Sequence, residues 1–182
     1  MRNLFSVFNV LAAALLAVAL AALAWVNRPP PRPEVPSYVL SERLSVEVPV
    51  YYLAKDGQHL MSEPRNVPVV QGDQNVQGVA AAALTVWNQG PAGDSALPVV
   101  PAGLPAPSVW VRGDNYIVSL PKEYAELHPS ASAEYLMLCS LTRTLLEKQG
   151  LDVTFLVAGE NKPALGAIDL RQPLTAQDCK DS

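Results

Sequence analysis

Hydrophobic residues are laid along this chain in three rhythms. Over 4–26 they run almost without a break, LFSVFNVLAAALLAVALAALAWV, with only Ser6 and Asn9 as polar interruptions. Over 46–54 they alternate: Val46, Val48, Val50, Tyr52 and Ala54 point one way, Glu47, Pro49, Tyr51 and Leu53 the other, which is the side-chain period of a strand. Over 76–87 they fall at helical spacing, with Val76, Ala80, Ala83 and Trp87 on one stripe beside Val79 and Leu84. A membrane-length helix, a strand and an amphipathic helix are predicted in that order.

Local punctuation sharpens these elements. Pro49 cannot donate to a ladder, so the strand is expected at a sheet edge there or to begin just after it. Asp56-Gly57 supplies a turn, and RNVPVV at 65–70 reads as a weaker second strand. Asp73 is placed to cap a helix running to about Asn88 and stopping at Gly90-Pro91; Gly78 weakens it by about 1 kcal/mol relative to alanine. A proline- and glycine-rich loop leads to a second alternation, with Val109 and Val111 against Trp110 and Arg112, then Tyr116, Val118 and Leu120 against Ile117 and Ser119. Between them Gly113, Asp114 and Asn115 are residue types that accept positive φ in a hairpin. Arg112-Gly113-Asp114 has the letters of an adhesion signal, but turn geometry alone accounts for its glycine and aspartate.

SASAEYLMLCSLTRTLLEKQ predicts a second helix, capped by Ser130 or Ser132 and stopped by Gly150. Leu138, Leu141 and Leu145 form its buried stripe, and Arg143 and Glu147 an exposed pair one turn apart. DVTFLVAG at 152–159 makes a strand with Val153, Phe155 and Val157 on one face; 167–173 is a candidate closing strand, and the tail TAQDCKDS is expected to fray. The order implies an α+β two-layer domain, a mixed or antiparallel sheet of about five strands with two helices, preceded by one N-terminal transmembrane helix. The chain divides into 1–27, anchor or signal peptide; 28–44, proline-rich spacer; 45–173, domain; and 174–182, polar tail.

At 182 residues there is room for one domain with a sizeable core. Hydrophobic residues make up 49% and charged ones 16%, an excess concentrated in the first apolar run. As a helix that run would be ~34 Å long, enough for a ~30 Å hydrocarbon core. Two fates stay open for it. Ala22-Leu23-Ala24 has the small-x-small form of a signal-peptidase site, whereas the length of the run and the interfacial Trp25 favour a retained anchor. No cysteine lies in or just after it, which argues against a lipid anchor. NRPPPRPEVP follows, the composition of an extended spacer. Arginines flank the run on both sides and do not orient it. Removing Arg2, Arg28 and Arg32 from the 13 basic residues leaves ten against 17 acidic ones, a net of −7 beyond the spacer arginines. That balance argues against nucleic acid or an anionic membrane face as partner.

Six stretches carry a resemblance: VPVYYLAKDGQHL (48–60), RNVPV (65–69), AAALTVWNQGP (81–91), VWVRGDNYIVSLPKEY (109–124), LTRTLLEKQGLDVTFLVAGE (141–160) and AIDL (167–170). In order and spacing they resemble the GerMN domain, a family named after a bacterial sporulation and spore germination protein. Ser119-Leu120-Pro121 stands where the family often has an acid before the leucine. The resemblance implies an extracytoplasmic domain held by a membrane anchor or lipid, of a kind regarded as an assembly or scaffold module. Members sometimes carry two copies; this chain resembles one.

No reactive constellation accompanies these motifs. His59 and His128 are far apart, without the ligand spacing of a zinc site. There is no G-x-S-x-G elbow and no phosphate-cradling loop, and Glu123 and Glu126 sit together as acids at a helix start do. No catalytic, cofactor-binding or metal residue is expected. Cys139 and Cys179 are either inert thiols or, outside the membrane, partners in a bridge closing a loop of about forty residues, worth ~3–4 kcal/mol. Trp87 is expected in the core. Tyr51 and Trp110 project opposite to the valines of their strands and are candidates for a partner or glycan surface, unless the proline-rich loop packs over them. The expected function is a non-catalytic, membrane-anchored extracytoplasmic domain in protein–protein assembly at the bacterial cell envelope, by self-association or with other envelope proteins. A peptidoglycan- or polysaccharide-binding module is the alternative.

Overall fold

The computed structural model describes residues 7–28, 43–70, 75–147 and 149–180. Its first body contains α1 (Val7–Val26), 20 residues without a charged side chain and exposed throughout. At ~1.5 Å per residue its length matches a hydrocarbon core.

The second body holds β1 (Arg43–Ala54), β2 (Leu60–Val70), α2 (Val76–Gln89), the two-residue β3 (Ala96–Leu97), β4 (Ser108–Arg112), β5 (Asn115–Leu120), the one-turn α3 (Lys122–Ala125), α4 (Ala131–Leu146) and β6 (Asp152–Val157). The strands form two three-stranded sheets, ordered β2-β1-β3 and β4-β5-β6, in place of the single sheet of about five strands. β5 and β6 are parallel; every other pair is antiparallel. Periodicity gives a strand its faces but not its partners. Both α2 and α4 pack against both sheets, and one cluster joins Val50 and Val67, Leu84 and Trp87, Leu138 and Leu141, and Val118 and Phe155.

Several elements differ from expectation for identifiable reasons. The second strand begins at Leu60, because β1 and β2 form an unbroken hairpin from Arg43↔Val70 to Leu53↔Leu60. Tyr51 donates its N–H to Thr144 on α4 rather than to β2, so its partner Ser62 and every second residue along β2 direct their polar groups outward. Pro64 and Pro68 fall on that outward set. Neither costs the hairpin a bond, and the edge lacks two donors that a foreign strand would need.

Asp73 lies outside the described residues; the α2 cap is Asn75, whose side chain accepts from Gly78 N at 2.8 Å. Ser130 caps α4, accepting from Ala133 N at 3.2 Å. Gly150 has φ +108, and a Cβ there would lie 2.6 Å from Tyr116 Cε2, so only glycine fits without a shift. Residues 167–173 form no regular strand, and the tail is docked through Lys180 instead of fraying. Leu174 exchanges both backbone hydrogen bonds with Val153 on β6, at 2.8 and 2.9 Å. The Asp178 carboxylate accepts from Thr175 N and Oγ1, and the Tyr135 hydroxyl donates to Asp178 O. Cys179 is buried and joined to Cys139 on α4, with 5.3 Å between the Cα atoms.

Candidate interaction surfaces

Tyr51 lies where β1 meets α4. Along the β1 edge that β3 leaves uncovered, α4 hydroxyls take the place of a neighbouring strand. Tyr51 N donates to Thr144 Oγ1 at 3.0 Å, and Ser140 Oγ donates to Tyr51 O at 2.6 Å while accepting from Trp87 Nε1 at 2.6 Å. The ring is 5% exposed, with the Arg143 guanidinium 4.2 Å from its centroid. Its hydroxyl donates to Glu147 Oε2 at 2.7 Å. Burial, and next the bond to Glu147, hold the phenol above its ordinary pKa despite the nearby Arg143. The expected open pair of Arg143 and Glu147 is therefore a clamp on a buried tyrosine.

Trp110 has the opposite environment. It is 50% exposed on β4, in the other sheet, and shares no face with Tyr51. The expected common aromatic surface does not form, because the two strands belong to different sheets and α4 covers Tyr51. Around Trp110 the register places three cross-strand rows on one sheet face: Trp110–Ile117–Thr154, Ser108–Ser119–Leu156 and Arg112–Asn115–Asp152. Asn115 Nδ2 donates to Asp152 Oδ1 at 2.7 Å. The proline-rich loop folds elsewhere: Leu104 packs against the core and accepts from Asn88, and Pro105 accepts from the buried Tyr124 hydroxyl.

The edge of β4 is closed by a side chain. Gln77 on α2 donates to Val109 O at 2.5 Å and accepts from Val111 N at 2.8 Å, imitating a strand partner. At the end of β4, Arg112 pairs with Asn115 across Gly113, φ +63, and Asp114, so the adhesion-like tripeptide is the last residue of a strand followed by an exposed two-residue turn. A groove of about 310 Å³ runs between β1 and α2, lined mainly by Val46, Pro49, Val79, Ala83, Tyr116 and Leu145.

The remaining polar candidates stay apart. His59 lies 2.8 Å from Asp56 in the β1–β2 turn, and His128 lies 2.7 Å from the Glu126 carbonyl. Among the described residues no group of three or more His, Cys, Asp or Glu could hold a metal. Glu134 was not singled out from the sequence. Fully buried in the first turn of α4, it accepts the backbone N–H groups of Gly166, Ala167 and Ile168 at 2.8–3.0 Å. Its sequence signal is that of any acid in a first helical turn; the loop it holds lies some thirty residues away.

These features define a small α+β domain that offers an exposed sheet face and a groove. Residues 49–163, more than half of the chain, match the family model for sporulation and spore germination, Germane, and the chain belongs to that family. Solved structures that share the fold include the following three. Tandem GerMN domains of the sporulation protein GerM from Bacillus subtilis align with a TM-score of 0.60 at 18% identity, over 74% of this chain and 48% of that one. The first GerMN domain of the same protein aligns at 0.53 and 16% identity, over 72% and 98%. A protein of Clostridium perfringens described as a candidate lipoprotein aligns at 0.51 and 23% identity, over 76% and 94%. At these identities the likeness establishes the fold. No curated protein matches the sequence.

Proposed function

We propose that this chain is a single-pass envelope protein whose GerMN domain lies outside the membrane and works without catalysis, in protein–protein assembly. The reading rests on one combination: a Germane domain in a chain that also carries, near its N-terminus, a charge-free helix long enough to cross a bilayer. Such a helix confines the domain to a plane, where local concentration is high and weak surfaces suffice for association. Protease added to intact cells tests the topology. The domain should be digested from outside while a cytoplasmic marker survives; a protected domain would contradict the reading.

The face around Trp110 favours a second reading, a wall-polymer module. A half-exposed indole beside Ile117, Thr154, Ser108 and Ser119 combines a stacking surface with hydroxyls. Co-sedimentation with purified sacculi separates the two. An assembly domain stays in the supernatant, whereas a polymer module pellets and Trp110→Ala releases it by at least about tenfold, the loss of ~1.4 kcal/mol of binding.

A further inference from the structure

We propose that the Cys139–Cys179 bond is a redox-controlled latch that holds the strap 171–180 across the outer edge of β6. Three other stretches of sheet edge, on β2, β4 and β1, are closed by features that chemistry in the envelope does not remove. Pro64 and Pro68 deny donors along β2, Gln77 covers β4, and Ser140 and Thr144 cover β1 at Tyr51. The edge of β6 is met by chain at two points, Glu160 on Val157 and, from the strap, Leu174 on Val153, each through paired backbone bonds. The preceding loop is fixed separately, by the Glu134 carboxylate on Gly166, Ala167 and Ile168. The strap itself is held by the Leu174 bonds and the packing of Leu174 on the core, by the Tyr135 hydroxyl on Asp178 O, and covalently by the disulfide.

The strap also completes a small second core. Tyr51, Leu60, Leu136, Cys139 and Cys179 form a buried cluster separate from the main one, to which the tail contributes Cys179. A cleft of about 350 Å³, lined by Arg143, Leu146, Glu147, Ala176 and Lys180, ends against Cys179. Both sulfurs are buried with the strap in place, so a reductant reaches the bond as the strap opens, and the cleft that leads to Cys179 carries Arg143 and Lys180 beside one acid, Glu147.

The reductant is a dithiol. One thiolate attacks Cys179 Sγ; the sulfur–sulfur bond breaks, and its electron pair leaves on Cys139 Sγ, which takes a proton. The second thiol of the reductant then displaces Cys179 as a thiol and closes the reductant's own disulfide. Two electrons and two protons pass to the protein. The freed strap uncovers Val153 N–H and C=O, a starting point for strand addition.

Full-length protein in detergent, with and without dithiothreitol, tests the latch by alkylation mass shift and amide hydrogen exchange. Two alkylated cysteines are expected only after reduction. The Val153 and Leu174 amides should then exchange at least about tenfold faster, while Val118 and Ala167 keep their rates. The Cys139→Ser/Cys179→Ser double variant should behave as the reduced protein does. Two reactive thiols before reduction, or reduction that leaves Val153 and Leu174 protected, would overturn the proposal. So would a uniform rise that includes Val118, since the bond would then be a staple for the whole domain.

Discussion

Ser140 joins three elements through one hydroxyl, accepting from Trp87 on α2 and donating to Tyr51 on β1 from its own place on α4. Replacing it with alanine removes little apolar contact but orphans two buried groups, each worth roughly 1–3 kcal/mol. Ser140→Ala should therefore unfold at clearly lower urea concentration with an unchanged slope; an unchanged midpoint would mean that water replaces the hydroxyl. The buried phenols set an alkaline limit. Burial pushes Tyr52 up to about 12 against the pull of Arg65, and pushes Tyr51, Tyr116 and Tyr124 up as well. A raised folded-state pKa stabilises while the group is protonated in both states. That contribution is complete below ~10 and is lost as pH rises through the folded value. Circular dichroism and phenolate absorbance followed together should show stability flat to about pH 10, then falling toward 12, with the buried phenolates appearing as structure is lost. Phenolates of all the tyrosines in an intact fold would contradict this. At this scale the sequence was legible where a residue acts locally, as with the Ser130 cap and Gly150. It was not legible for Glu134 and Tyr51, whose roles are set by a loop and a helix remote in sequence.

Elements show the same division. The β4–β5 hairpin, β6 and the stripes of both helices follow directly from the periods of apolar residues, and the hairpin also explains Arg112-Gly113-Asp114 as turn residues. β2 was only half legible, because Pro64 breaks the pattern for a reader who cannot know which way its nitrogen faces. The edge of β4 offers a direct test. Gln77→Ala should leave the helix intact, with alanine the better helix former, and should expose Val109 O and Val111 N. Exchange at the Val111 amide is expected to rise at least about tenfold with increased self-association. Unchanged exchange would show that another group covers that edge.

On the scale of the whole molecule, a charge-free apolar helix and a compact Germane domain are joined through a proline-rich stretch. The α+β class was legible from the alternation of strand and helix periods, and the family from the order and spacing of its motifs. The division into two sheets was not, since pairing depends on contacts between distant strands. The Trp110 face survives as a candidate surface and the Tyr51 face does not. If the domain assembles at the membrane, proximity there must produce defined contacts. The most direct measurement is cross-linking of the full-length protein in native membranes, with product masses read by spectrometry. The account predicts discrete adducts, either multiples of 19.5 kDa or a constant added mass from another envelope protein. Full-length protein that stays monomeric across reagents and concentrations, while pelleting with sacculi, would contradict it.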